Sequence, residues 1–391
     1  MRYRYLIIGG GMSAHAAARG IRELDRDGSI AILSSETHPP YNRPLLSKGL
    51  WKGKPLERIW LRHEKLNLDL HLGRTVKALD LKLKQAVDGE GQTYSFDKLL
   101  LATGGRPRRL DNDRVIYFRT LDDYLALRDM AEQHREFLVI GGGFIGSEIA
   151  AALASNGKQV TLVFPEAGIG ARIFPPGLSG FLNQYYREKG VKVIPGCAVK
   201  AVEAHNGRFR THLDHGDPID TDGVIAGLGI SPNSELAEQA GLPADNGIEV
   251  DLKLRTGHPD VYAAGDVARF YNPALGISIR VEHEDNALTQ GRLAGRNMAG
   301  AEEEYTHLPF FYSDLFELGY EAVGELDPRQ QVVEDWEEPY RRGVVYYLSQ
   351  GRVRGVLLWN VWGALEAARE LISQPGPFQP ADLKGRIQGK S

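Results

Sequence analysis

Gly141, Gly143 and Gly146 form the pattern G-x-G-x-x-G, and an acid, Glu166, follows the last of them by twenty residues. Those residue types at that spacing suit dinucleotide binding. The first glycine permits a tight turn and the second lets backbone N–H groups approach a pyrophosphate. The third allows a helix to pack on a strand, and the acid meets a ribose 2′-hydroxyl. A glycine pattern alone also describes a plain structural turn, so the flanking residues matter. Phe137–Ile140 reads as a strand, Ser147–Ala154 as a helix, and KQVTLVFPE as the next strand, ending at Glu166. The same grammar opens the chain: strand-like Tyr3–Ile8, then Gly9, Gly11 and Ala14, a helix to Leu24, and SIAILSSE ending at Glu36. Each helix start adds a field that favours anions.

Two such cradles in one chain predict electron transfer between two dinucleotides. Nicotinamide delivers hydride, and flavin accepts two electrons and releases them singly. The elements that position the cradles are two βαβ units in similar halves, not a short-period repeat. Beyond Gly300 the pattern changes: AVGEL, QQVVEDW, RRGVVYYLSQ and RVRGVLLWN predict an antiparallel meander, WGALEAARELI a helix, and the tail from Gln374 a loose end.

Composition bounds the rest. A length of 391 residues predicts two or three domains, and 42% hydrophobic residues supply cores. A net charge of −4 gives no basic excess for nucleic acid. No apolar run approaches the ~20 residues of a membrane span, and a strand at the start leaves no room for a signal peptide. A cytoplasmic protein is expected. The single cysteine, Cys197, excludes an internal disulfide, a C-x-x-C pair and a thiolate metal site, and it reads as half-buried in the strand-like run VKVIPGCAVKAV. Eleven histidines lack ligand spacing, so no metal is expected. Electrons must therefore pass to an external acceptor: a small iron–sulfur protein, a quinone or oxygen. RPRR (Arg106–Arg109) and YRR (Tyr340–Arg342) are candidate docking clusters for an acidic partner, although charge runs are usually solvated faces.

LLLATGGRPR and VYAAGDVA resemble the flavin-binding pair of the two-dinucleotide flavoprotein superfamily. PPYNRPLLSK, VEHEDNALTQGRLAGRNMAG and VLLWN look like its apoptosis-inducing-factor and ferredoxin-reductase branch, over Tyr3 to about Ile372. The resemblance implies an α/β fold with two Rossmann-like domains of glutathione-reductase type and a C-terminal α+β domain. The FAD domain would comprise 1–115 and 245–300, the NAD domain 116–244, and the C-terminal domain 301–391.

It also implies roles. Lys48 and Glu148 would pair beside flavin and nicotinamide, with His283 near both. Glu148 falls on the first turn of the helix as read above, so a simple helix-terminus acid is the alternative. FAD would contact Gly9, Gly11, Ser13, Ala14, Ser35 or Glu36, Arg43, Val76, Thr103, Gly104, Arg119, Gly265, Asp266, Glu282, His283 and Tyr312. NAD would contact Gly141, Gly143, Phe144, Ile145, Gly146, Glu148, Glu166, Arg172, Gly229, Glu321, Trp359 and Asn360. Tyr312 and Trp359 read equally well as core aromatics, and Glu282 or Asp285 as a helix cap. Glu166 favours NADH over NADPH, while Arg172 weakens that preference. The mitochondrial members' extra stretches after S-K-x-x-W and in the C-terminal domain are missing here, so their cell-death roles are not implied. The rival reading is a redox-sensing protein with a long-lived reduced complex. A monomer or homodimer is expected.

Overall fold

The computed structural model describes residues 1–389. In chain order, the elements that carry the site are β1 (Arg2–Ile8), α1 (Met12–Leu24), β2 (Ile30–Leu33), β3 (Thr93–Leu101), β4 (Glu136–Ile140), α2 (Phe144–Ser155), β5 (Gln159–Phe164), β6 (Val261–Ala263), α3 (Glu284–Met298), β7 (Phe310–Leu315), β8 (Leu318–Gly324), β9 (Gln331–Glu338), β10 (Arg342–Ser349), β11 (Arg352–Trp359) and α4 (Leu365–Ser373). The chain forms two compact units. The first comprises 1–43, 56–106 and 231–309; the second comprises 44–55, 107–230 and 310–391.

In the first unit, β1 is flanked in parallel by β2 and β3, and β6 adds to β3. Strand alternation sends Leu6 and Ile8 into one core and Tyr5 and Ile7 into another, one on each face of the sheet. The second core is shared with Ala14, Ala17, Ala18 and Ile21 of α1 and with Ala294 and Met298 of α3. Helices α1 and α3 touch backbone to backbone. A Cβ at Gly291 or Gly295 would collide with the carbonyl of Ser13 or Ala17, so only glycine fits.

One polar side chain in α1 stands out. His15 is buried, and its Nε2 has no hydrogen-bond partner. Burial first, then the charges of Arg19 and His63, lowers its pKa from 6.5 to about 4, against a weaker opposing pull from Glu64. Between those values the unfolded chain binds the extra proton, so His15 destabilises the fold as pH falls through that window. We expect His15→Gln to flatten the loss of stability between pH 7 and pH 4.5, as measured by urea unfolding. An unchanged slope would mean that the ring titrates normally.

The second unit holds three sheets, one of them a small antiparallel sheet of Val199–His205, Arg208–Leu213 and Ile219–Thr221. One is parallel, in the order Lys192–Pro195, β5, β4, Gly223–Ala226. Another is a five-stranded antiparallel sheet in the order β7, β8, β11, β10, β9, with α4 packed on β8 and β11; it is not the simple meander expected, because β8 pairs with β11 and not with β9. Phe144 at the head of α2 meets Phe311 of β7 edge-on at 5.5 Å, so this helix and the sheet of β7 share an aromatic boundary. The tail is ordered rather than loose. Pro380–Leu383 is a short capped helix, and Leu383 and Ile387 are buried.

Candidate active site

The first cradle is built in the first unit. Gly9 has a left-handed φ of 115°, and a Cβ there would strike the Ala102 carbonyl. Gly11 is the cap residue of α1; nothing lies within 4 Å of where its Cβ would be. No side chain caps α1, and its first turn carries no acid. Its leading N–H groups are thus offered to an external anion, an arrangement typically worth 0.3–1 kcal/mol per charge at an exposed helix end. Ser13 and Ala14 are buried behind this turn.

Beyond β2, Glu36 accepts from Tyr41 Oη at 2.6 Å and pairs with Arg43, whose guanidinium lies over the Tyr41 ring at 4.9 Å. Ser35 is exposed, whereas Glu36 is half-buried and oriented. Thr103 Oγ1 donates to the Asn233 carbonyl at 2.8 Å, and Gly104 is left-handed beside it. Val76 begins a short edge strand. Gly265 is left-handed, and the Asp266 carbonyl accepts from Arg280 at 3.0 Å. At the start of α3, neither Glu282 nor Asp285 acts as the cap. Glu282 pairs with Arg280 at 2.7 Å, Asp285 with His307 at 2.6 Å, and His283 occupies the cap position.

The second cradle lies in the second unit and repeats the design. Gly143 caps α2 with nothing within 4 Å of its absent Cβ, no side-chain cap and no acid in the first turn. Ile145 follows in that turn. Glu166 stands just past β5, held by Arg172 through Nε at 2.7 Å and Nη2 at 2.6 Å. Gly229 is left-handed, and its carbonyl accepts from Arg108 N–H. At Gly146 a Cβ would collide with the Gly141 carbonyl. Gly146→Ala must move the turn, and overpacking of this kind costs about 1–3 kcal/mol. We expect the NADH KM to rise about tenfold or more with bound flavin unchanged; steady-state kinetics with flavin quantitation checks both.

The same unit brings together residues that lie far apart in sequence. Glu148 is 4% exposed. It lies on the second turn of α2, because that helix begins at Phe144 and not at Ser147. Lys48 Nζ is 2.8 Å from Glu148 Oε1. Ser47 Oγ donates to Oε2 at 2.6 Å, and Ser313 Oγ of β7 to Oε1 at 2.5 Å. Lys48 also sits over the Tyr312 ring at 5.0 Å. Three donors thus converge on one buried carboxylate. Nearby Tyr186 and Tyr320 are held well above their ordinary pKa, first by burial and then by the charge of Glu148. Sequence separations of 101 and 165 residues hid Ser47 and Ser313 as partners; no local pattern could have announced them.

Other expected positions have clear local duties. Trp359 is fully buried, stacks on Tyr320 at 5.7 Å and donates Nε1–H to the Tyr340 carbonyl. Asn360 engages both ends of its amide with backbone, accepting from Gly319 and donating to the Arg341 carbonyl. Glu321 is half-buried with one oxygen lacking a partner, and burial raises its pKa. The Arg119 N–H donates to Asp123 at the start of the next helix. Cys197 lies in the short connection between the strands Lys192–Pro195 and Val199–His205, not in a strand, and is buried; its thiol donates to Asp214, and burial followed by that carboxylate raises its pKa. Three of the five arginines in the basic runs have acidic partners: Arg106 pairs with Glu235, Arg109 with Asp113, and Arg342 with Glu337.

Residues 3–291 match the pyridine nucleotide-disulphide oxidoreductase family. The chain belongs to that family. Its C-terminal segments, 294–336 and 328–374, match the apoptosis-inducing-factor C-terminal domain. Within the family it is 35% identical to apoptosis-inducing factor 1 of Dictyostelium discoideum, over 95% of this chain and 78% of that protein. It is 33% identical to the ferredoxin–NAD(+) reductase component of the anthranilate 1,2-dioxygenase system of Burkholderia cepacia, over 97% of both chains. The solved covalent putidaredoxin reductase–putidaredoxin complex superposes with a TM-score of 0.90 at 31% identity, over 97% of this chain and 95% of that one. The disulphide chemistry in the family name has no counterpart here, since the one cysteine is buried. No helix among the described residues is long and apolar enough to cross a membrane.

Proposed function

We propose that this chain is an FAD-dependent NADH oxidoreductase that hands electrons to a ferredoxin-type iron–sulfur protein, in a cytoplasmic setting. The observation that carries the reading is the pair of glycine turns, each opening on an uncapped helix, in a chain with no second cysteine to receive electrons. The residues present suit both dinucleotides. Two open, uncapped helix starts accept diphosphates, Glu36 and Glu166 offer carboxylates to riboses, and Arg43 lies on the same loop as Glu36. When bound, FAD supplies two-electron acceptance and one-electron release.

The chain's own residues bind and orient. Glu148 fixes the Lys48 ammonium, so that a positive charge stands ready where negative charge develops. Ser47 and Ser313 keep the Glu148 carboxylate from turning away. Glu166 accepts from a 2′-hydroxyl and repels a 2′-phosphate. The ferredoxin-reductase relatives favour electron delivery over redox sensing. An anaerobic acceptor screen tests this directly. Protein reduced with NADH should reoxidise far faster with a ferredoxin than with quinone or oxygen. A persistent long-wavelength band with a change in molecular size, and no rapid acceptor, would favour the sensing alternative.

A further inference from the structure

Only two residues, Phe316 and Glu317, join β7 to β8, since Leu315 pairs with Leu318. Phe316 has a left-handed φ of 61°. The first residue of so short a hairpin turn is commonly glycine when its φ is positive, because a Cβ is strained there. A bulky phenylalanine in that region is an outlier, and such strain persists only where surrounding contacts hold it.

The holding contacts lie on the helix Pro176–Glu188 and the residue after it. The Phe316 ring meets Tyr186 edge-on at 5.0 Å and Tyr185 edge-on at 6.0 Å. Glu317 accepts from Tyr185 Oη and, at 2.7 Å, from Lys189 Nζ. Lys189 first, and then Tyr185, hold its carboxyl down at about 2, so this clamp stays charged through the neutral range.

From Tyr186 the contacts return to the buried ion pair. Tyr186 is fully buried, and its Oη donates to the Ser147 carbonyl at 3.0 Å, on the residue before Glu148. On the other side, Ser313 stands three residues before Phe316 and donates to Glu148 Oε1 at 2.5 Å. The turn therefore closes a ring that runs through Glu148, Ser313, Phe316, Tyr186 and Ser147. Joining the two strands does not require this ring; a glycine would join them with less strain.

We propose that Phe316 is a positioning residue for flavin reduction: its ring, seated on Tyr186, fixes β7 against α2 and so holds the Glu148 carboxylate at the Lys48 ammonium. This rests on the reading of the Lys48–Glu148 pair as the charge that assists the reaction.

The test mixes purified holoprotein with NADH in the absence of oxygen and follows the bleaching of the flavin. Phe316→Gly relaxes the backbone and removes the ring. We expect flavin reduction at saturating NADH to be about tenfold slower than wild type, as small displacements of a reacting group allow. The KM for NADH should stay within about twofold, since the second glycine turn and Glu166 are untouched. Phe316→Tyr keeps the ring and should reduce its flavin at the wild-type rate. A role confined to folding would leave the rate of the folded glycine variant unchanged, and that result would overturn the proposal, as would a raised KM at an unchanged rate. If the glycine variant fails to fold by circular dichroism, Tyr186→Phe takes its place. It keeps the ring contact but loses the bond to Ser147, with the same slowing expected and the same overturning result. Glu148→Gln, measured beside them, separates two failures. If it too reduces flavin at the wild-type rate, the reading of the ion pair falls and this proposal with it; if it alone is slow, only the proposal falls.

Discussion

Lys48→Met should destabilise the protein by about 3–5 kcal/mol, because it strands a buried carboxylate. Glu148 is buried, and Lys48 is its only cationic partner within ion-pair distance among the described residues. The two serine hydroxyls would remain, so the carboxylate keeps hydrogen bonds but loses its counter-charge. The informative comparison is the double variant Lys48→Met with Glu148→Gln. It removes both charges and should recover most of the loss, since the cost lies in the unpaired ion. Urea unfolding at pH 7 of the wild type, both single variants and the double variant yields the coupling energy directly. A Lys48→Met loss below about 1 kcal/mol, the level typical of exposed pairs, would show that solvent or another group already compensates Glu148. Turnover supplies a second readout. The double variant should fold well yet reduce its flavin slowly with NADH, separating stability from chemistry.

Glu166→Ala should shift coenzyme choice towards NADPH by about 100-fold in the ratio of kcat/KM, equivalent to roughly 2.7 kcal/mol. The direction follows from the ion pair just past β5. In the wild type the carboxylate occupies Arg172, and on the proposed reading it would also repel a 2′-phosphate. Removing it deletes the repulsion and releases a guanidinium whose fork suits phosphate. Arg172 is 80% exposed, so losing the pair should leave folding stability within about 1 kcal/mol. Adding Arg172→Ala should abolish most of the gained NADPH activity while leaving NADH activity low. If the single variant still rejects NADPH, discrimination resides elsewhere in the cradle.

Much of this site could be read along the chain because its signals are local. A turn that needs glycine, a strand before it and a helix after it all fall within about thirty residues, and each has its own compositional cue. Four of the strands after Gly300 were legible because each is a local run rich in β-branched and aromatic residues, but β7 was missed, and the pairing of β8 with β11 depends on tertiary packing. What could not be read depends on convergence. Ser313 reaches Glu148 only because β7 packs against α2, an outcome of tertiary packing. Trp359 illustrates the opposite failure. A tryptophan at a functional motif and a tryptophan in a core have the same sequence signature, and only its stacking on Tyr320 reveals its surroundings. The tail from Gln374 misled because prolines and glycines suggest looseness, whereas Leu383 and Ile387 find a buried face. The start of α2 misled by one turn, since the third glycine of a cradle lies inside the helix and not before it.

Ser313 occupies a strand whose neighbours Tyr312 and Asp314 point to the opposite face, and β7 is registered residue by residue against β8 from Phe310 to Leu315. A deletion or insertion of one residue between Phe310 and Ser313 would present an aromatic ring or a second carboxylate to Glu148 in place of a hydroxyl. Insertions and deletions among related proteins should therefore be absent from this six-residue strand and collect elsewhere. Comparing where gaps fall across many relatives would expose that constraint without any biochemical assay.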